Sequence, residues 1–103
     1  MSSLFFDRVY SLCARIPIGK VATYHQLAKL VGSPRASRAV GMAMKKNPNA
    51  PTIPCHRVVA SDGALTGYSA QGGLAQKKHM LLQEGVVFMG EKVDLTASLW
   101  KNE

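Results

Sequence analysis

The segment Ile53-Pro54-Cys55-His56-Arg57-Val58, IPCHRV, sets a thiol beside an imidazole in a chain with only two cysteines. The thiolate is the nucleophilic form of cysteine, and a neighbouring base or cation helps to make it. Such chemistry needs a reachable thiol, a base to take its proton, and a group that orients the base. Glu84, at a helix end just before Gly85, is the candidate carboxylate for orienting His56. Adjacent residues on an extended strand point to opposite faces. A water or a local turn would be needed to link Cys55 to His56, and Pro54 favours a turn. Zinc sites bring ligand pairs separated by two to four residues on two arms. Here Cys55 and His56 diverge, and Cys13, His25 and His79 form no complementary pair, so no metal site is expected. On spacing alone, a buried thiol beside a hydrogen-bonded imidazole is the plainest account, and the nucleophile stays open.

The elements around this pair can be read from periodicity. Phe5, Val9, Leu12 and Ile16 recur at helical spacing, with Cys13 on the same stripe as a core residue. Pro17 and Gly19 end that helix. Thr23 is placed to cap a helix from Tyr24 to about Val31, with Leu27, Leu30 and Val31 inward. Gly32 breaks it. Ser33 is expected to cap a second helix with Pro34 at its first position, where a missing N–H costs nothing. That helix carries Ala36, Ala39, Val40, Ala43 and Met44 on one face, and Arg35, Arg38, Lys45 and Lys46 on the other. Asn47-Pro48 ends it. Two short helices joined at a glycine, the second basic, describe a helix-turn-helix, or equally a plain helical hairpin with a solvated basic face. Residues 53–60 read as a buried strand or extended segment, and Ser61-Asp62-Gly63 as a turn. A glycine-rich stretch leads into a helix from about Leu74 to Gln83 or Glu84, with Leu74, Leu81 and Leu82 apolar and Gly85 stopping it. Val86 to Phe88 is a short extended piece. The polar tail offers Leu95, Leu99 and Trp100 to pack back.

Composition narrows the class. A length of 103 residues, 47% hydrophobic and 18% charged, suits one compact domain over residues 1–103. Thirteen Lys and Arg against six Asp and Glu give a net charge of +7, which favours a polyanion, most often nucleic acid. The opening MSSLFFDRVYSL lacks a basic leader followed by an apolar run, and no segment approaches the roughly 18 apolar residues of a spanning helix. An intracellular, reducing location without membrane contact is expected: cytoplasm or nucleoid, or the nucleus in a eukaryote.

Together, VATYHQLAKLVGSPRASRAVGMAMKKNP, IPCHRVV and GYSAQGGLAQKKHMLLQEG resemble the DNA-binding and active-site domain of O6-alkylguanine-DNA alkyltransferases, over roughly Phe5 to Val87. The resemblance implies a mostly helical domain with short strands, like a winged helix-turn-helix, acting as a monomer on double-stranded DNA containing O6-alkylguanine. It implies that Cys55 accepts the alkyl group, that His56 deprotonates it through a water, and that Glu84 orients His56. Asn47 is the implied hinge between recognition helix and active site. Tyr24 helps to rotate the target phosphate, and Arg38 fills the gap left by the extruded guanine. Arg35, Ser37, Gly41 and Lys45 complete the implied DNA-binding face. Pro54, Val58, Tyr68 and Ser69, with Tyr24, line the implied guanine pocket. A hydrogen bond from Tyr24 or Ser69 to O6 would stabilise the departing base. No cofactor is implied, and the thioether product has no easy route to hydrolysis, so each molecule acts once. Extruding the base costs a few kcal/mol.

Three features depart from that pattern. The amino-terminal domain of many full-length alkyltransferases is absent from this sequence. GYSAQGGL carries Ala70-Gln71 as an insertion relative to a shorter GYSGGL-like form. Met42 follows Gly41 where a second small residue is expected, and its bulk would crowd a minor groove. The size and the tail VDLTASLW also resemble the small alkyltransferase-like proteins, which bind O6-alkylguanine DNA without transfer and flag it to nucleotide excision repair. Cys55 with His56, Asn47 and Glu84 favours transfer.

Overall fold

The computed structural model describes residues 3–47, 52–66 and 72–101. Helix α1, Ser3–Cys13, turns Val9 and Cys13 fully inward, and Ile16 follows them just past its end. A turn through Gly19, whose φ of +90° suits glycine, delivers the chain to β1, Ala22–Thr23. Helix α2, Tyr24–Leu30, starts at a complete capping box: the Thr23 hydroxyl accepts from the Gln26 N–H, and the Gln26 side chain accepts from the Thr23 N–H. Its end is a Schellman motif around Gly32 (φ +84°), with Ser33 N–H bonded to Ala28 O at 2.9 Å and Gly32 N–H to Lys29 O at 3.0 Å. Leu27 and Val31 are buried as expected, but Leu30 is 39% exposed.

That motif displaces the expected cap. Ser33 closes α2 instead of opening the next helix, and the chain makes a turn, with Ala36 N–H bonded to Ser33 O at 2.9 Å. Helix α3, Ser37–Lys45, begins after Ala36 with no side-chain cap. Arg35 therefore sits in the turn and not on the helix. Val40, Ala43 and Met44 are buried against α1 and α2, and the Tyr10 hydroxyl donates to Ala43 O at 2.9 Å. The α2–α3 pair is the helix-turn-helix.

Residues 53–60 do not form one strand. Cys55–Arg57 is a 3₁₀ turn, and only Val58–Val59, strand β2, is extended. Strand β2 pairs parallel with β1 in the register Ala22↔Val58 and Thr23↔Val59. Proline at position 54 explains the turn: its carbonyl accepts from Arg57 N–H at 2.9 Å. Helix α4, Gly73–Gln83, buries Lys77 and Leu81, whereas Leu74 and Leu82 are 46% and 52% exposed. A hairpin of β3, Phe88–Met89, and β4, Lys92–Val93, follows. Asp94 caps α5, Leu95–Ser98, by accepting from Thr96 N–H.

The tail does pack back. Leu99 bridges to Val21, Trp100 N–H donates to Val21 O at 2.7 Å, and the Gln26 amide donates to Trp100 O at 2.7 Å. The larger apolar core joins α1, α2 and α3 to Cys55, Val58 and Trp100. A smaller one gathers Val21, Val59, Leu81, Val86 and Val93 under the hairpin. Strands β1 and β2 run between the two, with Ala22 and Val58 in the larger core and Val59 in the smaller, and the Cys55 turn packs against the larger. The fold is mostly helical with short strands. Among the described residues, no helix is long and apolar enough to cross a membrane.

Candidate active site

The 3₁₀ turn settles how Cys55 and His56 relate. Side chains on such a turn fan out by about a third of a revolution per residue, so the opposite-face arrangement of a strand does not apply. Both residues are buried, Cys55 to 6% exposure and His56 to 2%. The His56 Nε2 lies 3.0 Å from Glu84 Oε2. Burial disfavours the imidazolium and lowers the His56 pKa, an effect that outweighs the support from Glu84. A neutral ring beside an ionised carboxylate donates its Nε2 proton, which leaves the lone pair on Nδ1. Nδ1 is buried and has no hydrogen-bond partner among the described residues. The ring is thus tethered at one nitrogen and basic at the other.

Glu84 is itself held by Arg57. The Arg57 Nε donates to Oε1 at 2.9 Å and Nη2 to Oε2 at 2.8 Å, while Nη1 donates to Ile16 O at 2.8 Å. Burial would raise the Glu84 pKa, but the bonds from Arg57 and His56 prevail and lower it. The guanidinium fork ties the end of α4 to the segment after α1 and holds both carboxylate oxygens.

Asn47 donates through Nδ2 to Ile53 O at 2.7 Å, linking the end of α3 to the approach to Cys55. On the other side lies Lys77, 1% exposed. Its ammonium donates to Val58 O at 2.7 Å and Thr66 O at 2.8 Å. Burial pulls its pKa down to about 8, partly offset by the charges of Cys55 and Cys13. Its Nζ is also 6.0 Å from the Tyr24 ring centroid. The Tyr24 hydroxyl donates to Thr66 O at 3.0 Å and accepts from the Thr66 hydroxyl at 3.4 Å; burial raises its pKa against that second bond. Cys13, by contrast, is sealed in the core with its thiol pushed up to about 12 by burial, as its place on the α1 stripe suggested.

Beside this cluster, the exposed face of α3 forms one wall of a groove of about 470 Å³. Ser37, Arg38, Gly41, Met42 and Lys45 line it on the helix side, and Tyr24 and Thr66 on the other. Arg35 borders a separate depression with Arg38. Structure thus pairs His56, next to Cys55, with Glu84 and buries Pro54 and Val58 around them, while Tyr24 packs against the core that holds Cys55 and also lines the α3 groove. Tyr68, Ser69 and the Ala70-Gln71 insertion lie outside the described residues. No cluster of three or more metal-ligating side chains occurs among the described residues.

Arg57 and Lys77 were not singled out in the sequence. Arg57 lay in plain view beside His56. Lys77 had a weaker signal: it stands four residues before Leu81, on the face that α4 buries.

Residues 4–86 match the family described as 6-O-methylguanine DNA methyltransferase, DNA binding domain. The chain belongs to this family. It is 46% identical over 81 residues to a methylated-DNA–protein-cysteine methyltransferase of Methanosarcina acetivorans, covering 79% of this chain and 51% of that protein. It is 51% identical over 77 residues to the Homo sapiens protein of the same name, covering 75% of this chain and 36% of the relative. The chain therefore spans about half or less of the methyltransferases it matches. Over 93% of its own length and 74% of the relative's, it is 43% identical to an Escherichia coli DNA base-flipping protein. Among solved structures, the S. pombe Atl1 protein in complex with damaged DNA containing O6-carboxymethylguanine superposes with a TM-score of 0.87 at 34% identity, covering 99% of both chains. Mycobacterium tuberculosis OGT in complex with DNA superposes with a TM-score of 0.77 at 40% identity, covering 82% of this chain and 52% of that one.

Proposed function

We propose that this chain binds double-stranded DNA through the α3 face, extrudes an O6-alkylated guanine, and takes the alkyl group irreversibly onto Cys55. The observation that carries the reading is the relay behind the thiol: His56 kept neutral by burial, tethered through Nε2 to Glu84 at 3.0 Å, and Glu84 held by Arg57. His56 Nδ1 takes the Cys55 proton, directly or through one water, and Glu84 stabilises the imidazolium that results. Sulfur attacks the alkyl carbon in line. The carbon–O6 bond breaks, its electron pair stays on the guanine, and the guanine regains a proton at nitrogen. Sulfur keeps the alkyl group as a thioether, so each chain acts once. Arg38, exposed on the groove wall, supplies the cation that fills the vacated stack, and Ser37, Gly41 and Lys45 contact the backbone. Arg35, from the turn, adds a phosphate contact. Asn47 fixes the distance between α3 and the thiol, while Tyr24 turns the extruded nucleotide toward it.

A second reading is lesion binding without transfer, with excision-repair proteins as partners. It is favoured by the match to Atl1 over 99% of both lengths and by the 6% exposure of Cys55. Incubation with an O6-methylguanine duplex followed by intact-mass analysis separates the two. Transfer predicts a gain of one methyl group, mapping to Cys55 and lost in Cys55→Ser. Tight binding with unchanged mass would sink transfer and leave recognition standing.

A further inference from the structure

Of the α3 residues that line the groove, Met42 alone has no part in the proposed chemistry. Met42 is 49% exposed, although its neighbours Ala43 and Met44 are buried in the core. It follows Arg38 by four positions and precedes Lys45 by three, so the three share one helix face and all line the same groove. An apolar side chain thus stands between two cations on the face read as meeting DNA. Gly41, beside it, has nothing within 4 Å of where a Cβ would stand, so a bare trough adjoins the thioether. Phosphates make no use of a thioether, but bases and sugars do. Proteins that work in the minor groove insert apolar side chains, methionine included, between base steps to unstack them. Methionine is unbranched and adapts to an irregular gap.

Resting on the DNA reading above, we propose that Met42 is an apolar wedge, entering the base stack one helical turn from Arg38 and holding the duplex open beside the extruded nucleotide. Arg38 would fill the hole, and Met42 would keep the adjoining step from closing over it. Its bulk, unexpected at this position, then serves recognition instead of obstructing it.

The test uses a duplex carrying O6-methylguanine with 2-aminopurine at the neighbouring step, whose fluorescence rises on unstacking. Wild type, Met42→Ala, Met42→Gln and Lys45→Ala are compared in affinity, fluorescence and salt dependence, with thermal melting as the check on folding. Loss of the wedge should weaken binding about tenfold, the scale of returning the exposed half of a methionine to water. The fluorescence rise should shrink in both Met42 variants, because glutamine keeps the length but not the apolar surface. The slope of affinity against salt should stay at the wild-type value in both and fall only in Lys45→Ala. If Met42→Ala binds and unstacks as wild type does, or binds more tightly, the wedge is overturned while the DNA reading stands. If wild type itself fails to bind the alkylated duplex, both fall.

Discussion

Replacing Glu84 by glutamine keeps the volume and removes one charge. In the native site the carboxylate takes three donors: His56 Nε2 at 3.0 Å, Arg57 Nε at 2.9 Å and Arg57 Nη2 at 2.8 Å. An amide offers one oxygen, and its nitrogen cannot accept. At least one donor is therefore orphaned, and a guanidinium only 13% exposed loses its counter-charge. Charge-assisted bonds contribute about 1.5–3 kcal/mol each, and breaking one side of a buried pair costs about 3–5 kcal/mol. Glu84 remains 18% exposed, which brings the expected loss down to about 2–3 kcal/mol through solvent screening. For a domain of this size that lowers the melting temperature by roughly 10–20 °C. The acid limb should change as well. Because the folded Glu84 pKa lies below its ordinary 4.5, the stability it adds is complete above that value and lost as pH falls. The variant lacks this component, whereas Asp62 and Asp94, also lowered, keep theirs. At the thiol, His56 loses the partner that stabilises its protonated form, and methyl transfer should slow about a hundredfold. Melting curves from acid to neutral pH and an intact-mass time course measure both. A variant that melts with the wild type and transfers methyl at the same rate would refute the relay.

Two further outcomes follow from the packing. Lys77→Met should remove a rising limb of stability. With a folded pKa of about 8 against an ordinary 10.5, the Lys77 contribution is complete above 10.5 and lost as pH falls through 8, an amplitude of roughly 3 kcal/mol. Cys13 works the other way, its contribution complete below 9 and lost as pH rises toward 12, so the test is the difference between the two proteins' denaturation profiles and not either alone. Trp100→Ala should cost about 3 kcal/mol or more by emptying a site only 8% exposed, and hydrogen exchange at Val21, whose N–H donates to Ser98 O, should accelerate with it.

What the sequence made legible follows from how local each signal was. The α1 stripe, the Thr23 cap, the helix-turn-helix and the Gly85 stop rest on residues within one or two turns of each other, and all are present. Glu84 is legible as a partner for His56 from its position at a helix end, and the two side chains lie 3.0 Å apart. Signals failed where one residue could serve two masters. Ser33 can cap the helix after it or finish the helix before it, and Gly32 in the left-handed region decides for the latter. Residues 53–60 have a strand-like composition, yet Pro54 turns the first half and only Val58–Val59 pairs. Lys77 could not be read as buried, because the two carbonyls that compensate it, Val58 and Thr66, come from segments 19 and 11 residues away. Apolar character alone did not decide burial on α4: Leu82 lies off the Lys77–Leu81 face and is 52% exposed, and Leu74, on that face but in the first turn of the helix, is 46% exposed.

Val58 O and Thr66 O, the two carbonyls that Lys77 holds, also tie the α3 groove to the Cys55 turn. Tyr24 lines the α3 groove, and its hydroxyl is bonded to Thr66 O. The same oxygen accepts from Lys77, whose ammonium also grips Val58 O. Val58 is the residue that leaves the Cys55–Arg57 turn. On the opposite side Asn47 runs from the end of α3 to Ile53, two residues before the thiol. The groove and the thiol are thus joined twice, by short hydrogen bonds and with little flexible chain between. On the proposed reading, a nucleotide drawn into the groove would meet a thiol whose position is already set, so the binding energy would go into opening the duplex and not into ordering the site. The same rigidity would serve a protein that only holds the lesion, since a fixed pocket grips an extruded base whether or not sulfur reacts. What would separate the two is proton transfer to His56 Nδ1, a buried nitrogen without a hydrogen-bond partner among the described residues.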